Sequence, residues 1–144
     1  MVINMNSVDY FCEQLREQCR RVTPQRRAII QVLLEDDSLH PTAEQIFTHV
    51  QGSMPDMSQA TVYNTLRELT EIGVLLELNL GLEGRRYDIN TADHAHLVCL
   101  GCGCVEDVDY DLESLALPPE YAHRFQVIDR SVVFRGYCPD CASR

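Results

Sequence analysis

Residues Asp93 to Cys104 read DHAHLVCLGCGC and set two pairs of metal-ligand side chains almost end to end. Cys99 and Cys102 form one C-x-x-C pair, and Cys138 and Cys141 form a second in CPDC. Each pair can wrap two thiolates around a tetrahedral ion, and two pairs complete an all-sulfur shell with no position left for water or substrate. The spacing therefore predicts a structural Zn(II) site that ties the strand at residue 99 to the far end of the segment. A redox dithiol is the lesser reading, because neither pair is expected to open a helix in a strand–helix–strand setting. Cys104 reads as a packed or surface thiol. Cys12 and Cys19, seven apart on the first predicted helix, read as core-face residues.

The imidazoles form the other pair. His94 and His96 lie two apart on a predicted strand, so their rings point to one face, and Asp107 follows on the next predicted strand. By type and spacing alone, H-x-H in a strand is more often unrelated surface polarity than a ligand pair.

Several elements must hold these groups. Residues 8–20 place Phe11, Leu15 and Cys19 at four-residue steps, predicting an amphipathic helix. Thr23 as N-cap and Pro24 at the first helical position open a second helix, with Ala28, Ile29, Val32 and Leu33 as its buried stripe. In PTAEQIFTHV, Thr42 and Gln45 have capping-box spacing, and Ile46, Phe47 and Val50 face inward. The fourth helix, SQATVYNTLRELTEIG, is capped by Ser58 and closed by Gly73, with Val62, Leu66 and Leu69 along its inner face. Gln59, Thr61, Tyr63, Asn64 and Arg67 are left facing outward. VLLELNLGLEGRRYDIN then reads as two strands around a glycine-bearing turn, with Arg85 and Arg86 just past the tip.

Three helices, a recognition-type helix and a two-stranded hairpin describe a winged helix, whose exposed helix would enter the DNA major groove while flanking arginines hold phosphates. The same pattern also fits a small helical bundle with a solvated polar face. The predicted fold class is α+β. Residues 1–88 form the winged helix, 89–93 a hinge, and 94–144 a small α/β metal-binding domain. In that last segment HAHLVC and CVEDVDY read as strands, DLESLALPPEY as a short helix stopped by prolines, and FQVIDRSVVFRGYC as a long strand or hairpin. A unit of about 50 residues needs a metal or a partner subunit for stability.

Bulk composition narrows the setting. No apolar run has membrane-spanning length, and MVINMNSVDYF lacks the features of a secretory signal, so a cytoplasmic location is expected. In a reducing compartment seven cysteines point to metal chemistry rather than disulfides. A net charge of −10 argues against indiscriminate nucleic-acid binding. All 12 cationic residues are arginine, suited to bidentate contacts with phosphate and guanine, and most lie in the first 90 residues, away from the acidic run Glu106 to Glu113.

Across nearly its whole length the chain resembles the ferric-uptake regulator (Fur) family. The match rests on VTPQRRAII, HPTAEQIF, SQATVYNTLREL, GRRYD, DHAHLVCLGCG and GYCPDC, in the family's order and spacing. The resemblance implies a homodimeric, metal-dependent repressor that binds a palindromic DNA operator, with residues 94–144 as its dimerisation domain. It implies a regulatory site for Fe(II) or Mn(II) made by His40, Asp88, His94, His96 and Asp107, hard ligands suited to those ions. It also assigns Arg20, Gln59, Thr61, Tyr63, Asn64, Arg67 and Arg85 to the DNA-binding surface.

Aspartate at position 88 resembles the peroxide-sensing branch, in which iron-dependent oxidation would fall on His40 and His94. An iron- or manganese-uptake regulator is the runner-up, and a zinc-uptake regulator is disfavoured because a cysteine would be expected near Asp88. With Arg130 where a histidine often lies, no third metal is expected, and His49 and His123 read as surface or packing histidines. Two other classes compete. A hydrolase built on His94, His96 and Asp107 lacks a separate general base, a nucleophile motif and a phosphate cradle. A zinc-stabilised protein-interaction module without DNA binding would suit the acidic charge.

Overall fold

The computed structural model describes residues 6–35 and 40–143. The chain divides into two compact units, Met1–Thr91 and Ala92–Arg144.

The first unit contains α1 (Val8–Glu17), α2 (Pro24–Glu35), α3 (Ala43–Gln51) and α4 (Gln59–Glu71), followed by β1 (Leu76–Leu78) and β2 (Arg86–Asp88). Local chemistry sets the helix boundaries. The Ser7 hydroxyl accepts from the Tyr10 amide and Thr23 from Arg26. Thr42 and Gln45 close a reciprocal capping box, at 3.2 and 2.9 Å. Ser58 accepts from Thr61 at 3.1 Å. Each such cap is worth about 1 kcal/mol. At the end of α4, Gly73 takes φ 83°, its amide bonds to Thr70 and the Val74 amide reaches back to Leu69. Val74 and Leu69 are both buried, which completes a Schellman stop.

The inward faces of these helices meet in one apolar cluster that includes Phe11, Leu15, Ile29, Ile30, Leu33, Ile46, Val50, Val62, Leu66 and Leu69. Ala28, Val32 and Phe47 pack at its margin, while Ile30 is fully buried. Cys12 is buried, but Cys19 is not on the core face, because α1 stops at Glu17. Cys19 takes φ 57°, its amide bonds to Arg16, and the Arg20 amide returns to Leu15. It therefore occupies the left-handed cap position that glycine usually fills.

Strands β1 and β2 pair antiparallel, with Glu77 opposite Tyr87. Gly81 and Gly84, at φ 77° and 78°, turn the connection between them. The segment before α3 joins this ribbon: the Tyr87 amide donates to the Pro41 carbonyl, and the Arg86 guanidinium to that of His40.

The second unit is built on a three-stranded sheet of order β4-β3-β5, comprising β3 (Ala95–Cys99), β4 (Val105–Val108) and β5 (Val133–Gly136). β3 is antiparallel to β4 and parallel to β5. A 3-10 turn (Leu112–Ser114) and two one-turn helices, α5 (Pro119–Ala122) and α6 (Pro139–Ala142), complete it.

Two expectations for this unit are corrected by the structure. The prolines do not stop a helix; Pro118 precedes and Pro119 starts α5, where a missing N–H costs nothing. The long strand expected from FQVIDRSVVFRGYC shrinks to four residues, because β5 pairs with β3 only from Val133 to Gly136. Cys138 is the N-cap of α6, a one-turn helix that is the last element of the described residues, so it does not stand in a strand–helix–strand setting.

Paired residues share a face of a sheet. Leu97, Glu106 and Phe134 stand on one side, where Leu97 and Phe134 are exposed and the Tyr110 ring meets Phe134 edge-on at 5.8 Å. His96, Asp107 and Val98 stand on the other.

Candidate metal centres and nucleic-acid interface

The thiol group forms where β3 runs out. The Cys99 amide donates to the Cys104 carbonyl and the Gly103 amide to Cys99, bending the chain so that Cys99 and Cys102 point the same way. The Leu100 amide donates to Gly136, which carries the end of β5 and Cys138 alongside. Sulfur atoms of Cys99, Cys102, Cys138 and Cys141 consequently lie within 4.8 Å of one another, with Cys102 and Cys138 3.9 Å apart. The turn is built for close approach: a Cβ on Gly101 would lie 2.8 Å from both the Cβ and Sγ of Cys141.

The surroundings favour thiolate. The Cys138 amide donates to the Cys99 sulfur at 3.3 Å, and this bond, helped by the Cys102 amide, lowers the Cys99 pKa to about 5. Cys102 is lowered too, first by the Cys104 amide. Cys141 moves the other way, up to about 12, because it hydrogen-bonds to the Cys138 and Cys99 sulfurs. Four thiolates this close repel unless a cation is shared among them, and a closed set of four soft donors fits Zn(II). Cys104 lies outside the group; its bond to the Cys102 sulfur pushes it up to about 12.

Two further groups combine imidazole and carboxylate, one in each unit. In the N-terminal unit, His40 precedes α3 and Asp88 ends β2, and the tie between that segment and β2 brings them together. Their Nε2 and Oδ2 atoms are 3.2 Å apart, and both side chains are buried. His40 holds φ 45°, a region non-glycine residues seldom adopt, so its placement is over-determined by its neighbours.

In the C-terminal unit, the β3–β4 register sets His96 directly opposite Asp107. Asp107 Oδ1 stands 3.0 Å from His94 Nε2 and 3.4 Å from His96 Nε2, and the two rings are 4.4 Å apart. The His94 Nδ1 atom is 2.6 Å from the Ala92 carbonyl, which holds the ring with Nε2 toward Asp107. Nitrogen and carboxylate oxygen donors of this kind suit Fe(II) or Mn(II) better than thiophilic ions.

On α4, Gln59, Tyr63, Asn64 and Arg67 are exposed. Thr61 is half-buried, with its hydroxyl 2.8 Å from that of Ser58, because it sits on the capped first turn. Arg85 stands exposed at the start of β2, and an open groove of about 800 Å³ separates it from α4, lined by Tyr63, Asn64, Arg67, Glu77, Arg85 and Tyr87 among others. Burial, then Glu77, pushes the Tyr87 phenol up to about 12.

Arg20 follows α1 and contacts Glu68 and Glu71 of α4, each at 3.6 Å. Arg26 meets Glu68 at 2.6 Å. The sequence reading missed these carboxylates, although Arg67 and Glu71 do have the i,i+4 spacing of a helical ion pair. His49 is exposed and lies 3.4 Å from Glu35. Among the described residues no helix is long and apolar enough to cross a membrane.

The Ferric uptake regulator family matches residues 17–135. The chain is 34% identical to the peroxide-responsive repressor PerR of Staphylococcus epidermidis, covering 98% of this chain and 97% of that protein. It is 36% identical to the ferric uptake regulation protein of Bacillus subtilis, covering 94% and 95%. Among solved structures, the ferric uptake regulator Fur of Helicobacter pylori superimposes with a TM-score of 0.77 at 20% identity, covering 98% of this chain and 97% of that one.

Proposed function

The chain belongs to the ferric uptake regulator family, a family of transcriptional regulators rather than enzymes, and on that premise we propose that it is a cytoplasmic, homodimeric, DNA-binding repressor that senses peroxide. The observation that carries the sensing part is the single carboxylate oxygen of Asp107 within 3.4 Å of two imidazole nitrogens, a donor set for an exchangeable hard cation. His40 and Asp88 supply a second buried imidazole–carboxylate pair. The assignment of both groups to one regulatory ion rests on family membership. Cys99, Cys102, Cys138 and Cys141 hold the structural Zn(II).

The N-terminal unit is a winged helix: α4 enters the major groove with Gln59, Thr61, Tyr63 and Asn64 toward base edges, while Arg20, Arg67 and Arg85 hold phosphates. The C-terminal unit dimerises through its exposed apolar sheet face, spacing two reading heads for an inverted repeat. His40, Asp88, His94, His96 and Asp107 hold the regulatory ion, whose differential affinity for the DNA-competent form makes it a corepressor. Fe(II) bound there would supply the electrons that reduce hydrogen peroxide, and His40 and His94 are the ligand side chains that would gain the oxygen. Asp88 rather than glutamate, and the relationship to PerR, support this branch. A regulator of iron or manganese uptake is the second reading, favoured by the similarity to the Bacillus subtilis ferric uptake protein.

Gel shifts on an inverted-repeat, AT-rich duplex separate these readings. The Fe(II) protein should lose DNA binding on dilute peroxide and gain 16 Da, about one oxygen, on His40 or His94, whereas the Mn(II) protein should not. Equal responses by both forms would overturn peroxide sensing. Arg67→Ala should weaken binding to all duplexes, and Asn64→Ala should cost about 1–3 kcal/mol of discrimination. Unchanged affinity in both would remove α4 as the reading element.

A further inference from the structure

Arg67 and Arg85 flank one groove of the N-terminal unit, one on α4 and one on the ribbon, and each meets a carboxylate in the same manner. Glu71 Oε1 lies 3.8 Å from Arg67 Nε, and Glu77 Oε1 lies 3.6 Å from Arg85 Nε. In both cases the contact is made at Nε, on the inner edge of the guanidinium. The two terminal nitrogens form the outer fork that matches a guanine edge or a phosphate bidentately. Glu71 also reaches Arg20 through its other oxygen, at 3.6 Å, so one carboxylate serves two arginines.

We propose that Glu71 and Glu77 are specificity-determining positioning residues, which bias Arg67 and Arg85 through exposed ion pairs at Nε and offset part of their charge toward DNA that offers no matching contacts. The proposal rests on the DNA-binding reading above and deepens it. Stability does not account for these pairs. All four side chains are well exposed, and exposed ion pairs contribute little to folding. Glu71 is the last residue of α4, where the helix dipole disfavours a carboxylate. Glu68 differs: it is largely buried against Arg26 and belongs to the packing of the helices, so it is left out of the test.

Two consequences follow from charge and geometry. An arginine already neutralised displaces fewer counterions from a phosphate backbone, which lowers affinity for DNA of any sequence. A guanidinium held by its inner edge loses less freedom when its fork engages a target, which preserves affinity for the matching sequence. Together the carboxylates widen the gap between operator and bulk DNA, a gap a chain of net charge −10 must draw from few cationic residues.

The test uses the full-length Mn(II)-loaded protein and two duplexes, an inverted repeat selected by the wild-type protein from a randomised pool and a scrambled version of the same composition. Glu71→Gln combined with Glu77→Gln should bind the scrambled duplex about tenfold tighter, with a log K against log salt slope steeper by about one to two. Operator affinity should rise by less, so that the operator-to-scrambled ratio falls. Arg67→Lys, which keeps the charge and loses the fork, should lower operator affinity while leaving scrambled affinity near wild type.

Equal change on both duplexes, an unchanged salt slope, or full operator binding by Arg67→Lys would overturn the proposal. If the wild-type protein shifts neither duplex, the DNA-binding reading itself fails and takes this inference with it. If the wild type binds and only the variants disappoint, the positioning role alone is lost.

Discussion

In the N-terminal unit, apolar side chains from all four helices meet in one cluster, and Tyr63 is the one exposed large apolar residue among those described. In the C-terminal unit the buried apolar residues are Ala95, Val98, Cys99, Val105 and Leu112, while Leu97, Phe125, Ile128, Phe134 and Tyr137 stand exposed, Ile128 at 88%. Full burial of one large apolar side chain contributes about 1.5–3 kcal/mol. The first unit collects that contribution many times. The second does so rarely, while its four cysteine sulfurs converge and one face of its sheet stays apolar and exposed. One half of the chain is thus built on a buried cluster, and the other on a small sheet with a group of thiols at its end.

The largest effect that would break this contrast is removal of the thiolate-bound metal. Structural zinc in small domains supplies about 10–16 kcal/mol of apparent binding energy at neutral pH. Chelation, or Cys99→Ser, should collapse amide dispersion across residues 95–136 in NMR spectra of the whole chain and leave residues 8–35 dispersed. Joint melting of both units would refute the division. Next in size is Leu66→Ala, a buried leucine in α4. It should cost the N-terminal unit about 2–5 kcal/mol, read as a lowered midpoint in urea, with zinc content unchanged. A shift of the C-terminal transition instead would show that burial does not act locally.

Smaller still is Phe134→Ala on the exposed sheet face. It should weaken self-association by about 2 kcal/mol in sedimentation, consistent with an aromatic anchor near the centre of an interface. An unaltered dimer would place the covering surface elsewhere.

Much of the N-terminal unit was legible because its signals are local. Thr23, Thr42 with Gln45, Ser58 and Gly73 each act within five residues of themselves, and each does what its type and position suggest. Cys19 misled because periodicity continues through it while the chain's hydrogen bonds do not. In the C-terminal unit, short elements leave periodicity little to work with. The extent of β5 depends on where its partner β3 lies, and residues far apart in the sequence decide that.

The four cysteines were legible as a group from spacing, and their sulfurs do converge. The closeness of Asp107 to both imidazoles follows from the β3–β4 register, which alternation suggests but cannot fix. The carboxylates beside Arg20, Arg67 and Arg85 went unread because an exposed glutamate on a helix or strand has no single obligatory partner.

β5 lies parallel to β3, and the cage that begins at Cys99 closes with Cys141. During synthesis every residue of the N-terminal apolar cluster has been made once residue 91 has emerged, since its last member is Ile89. The sheet's third strand and half of its thiol cage arrive more than 30 residues after the strand they join, about the length of chain a ribosome makes in a few seconds. For that interval Cys99 and Cys102 are without the two cysteines that complete their group and stand beside an unpaired strand edge, and whatever handles the nascent chain meets them in that state.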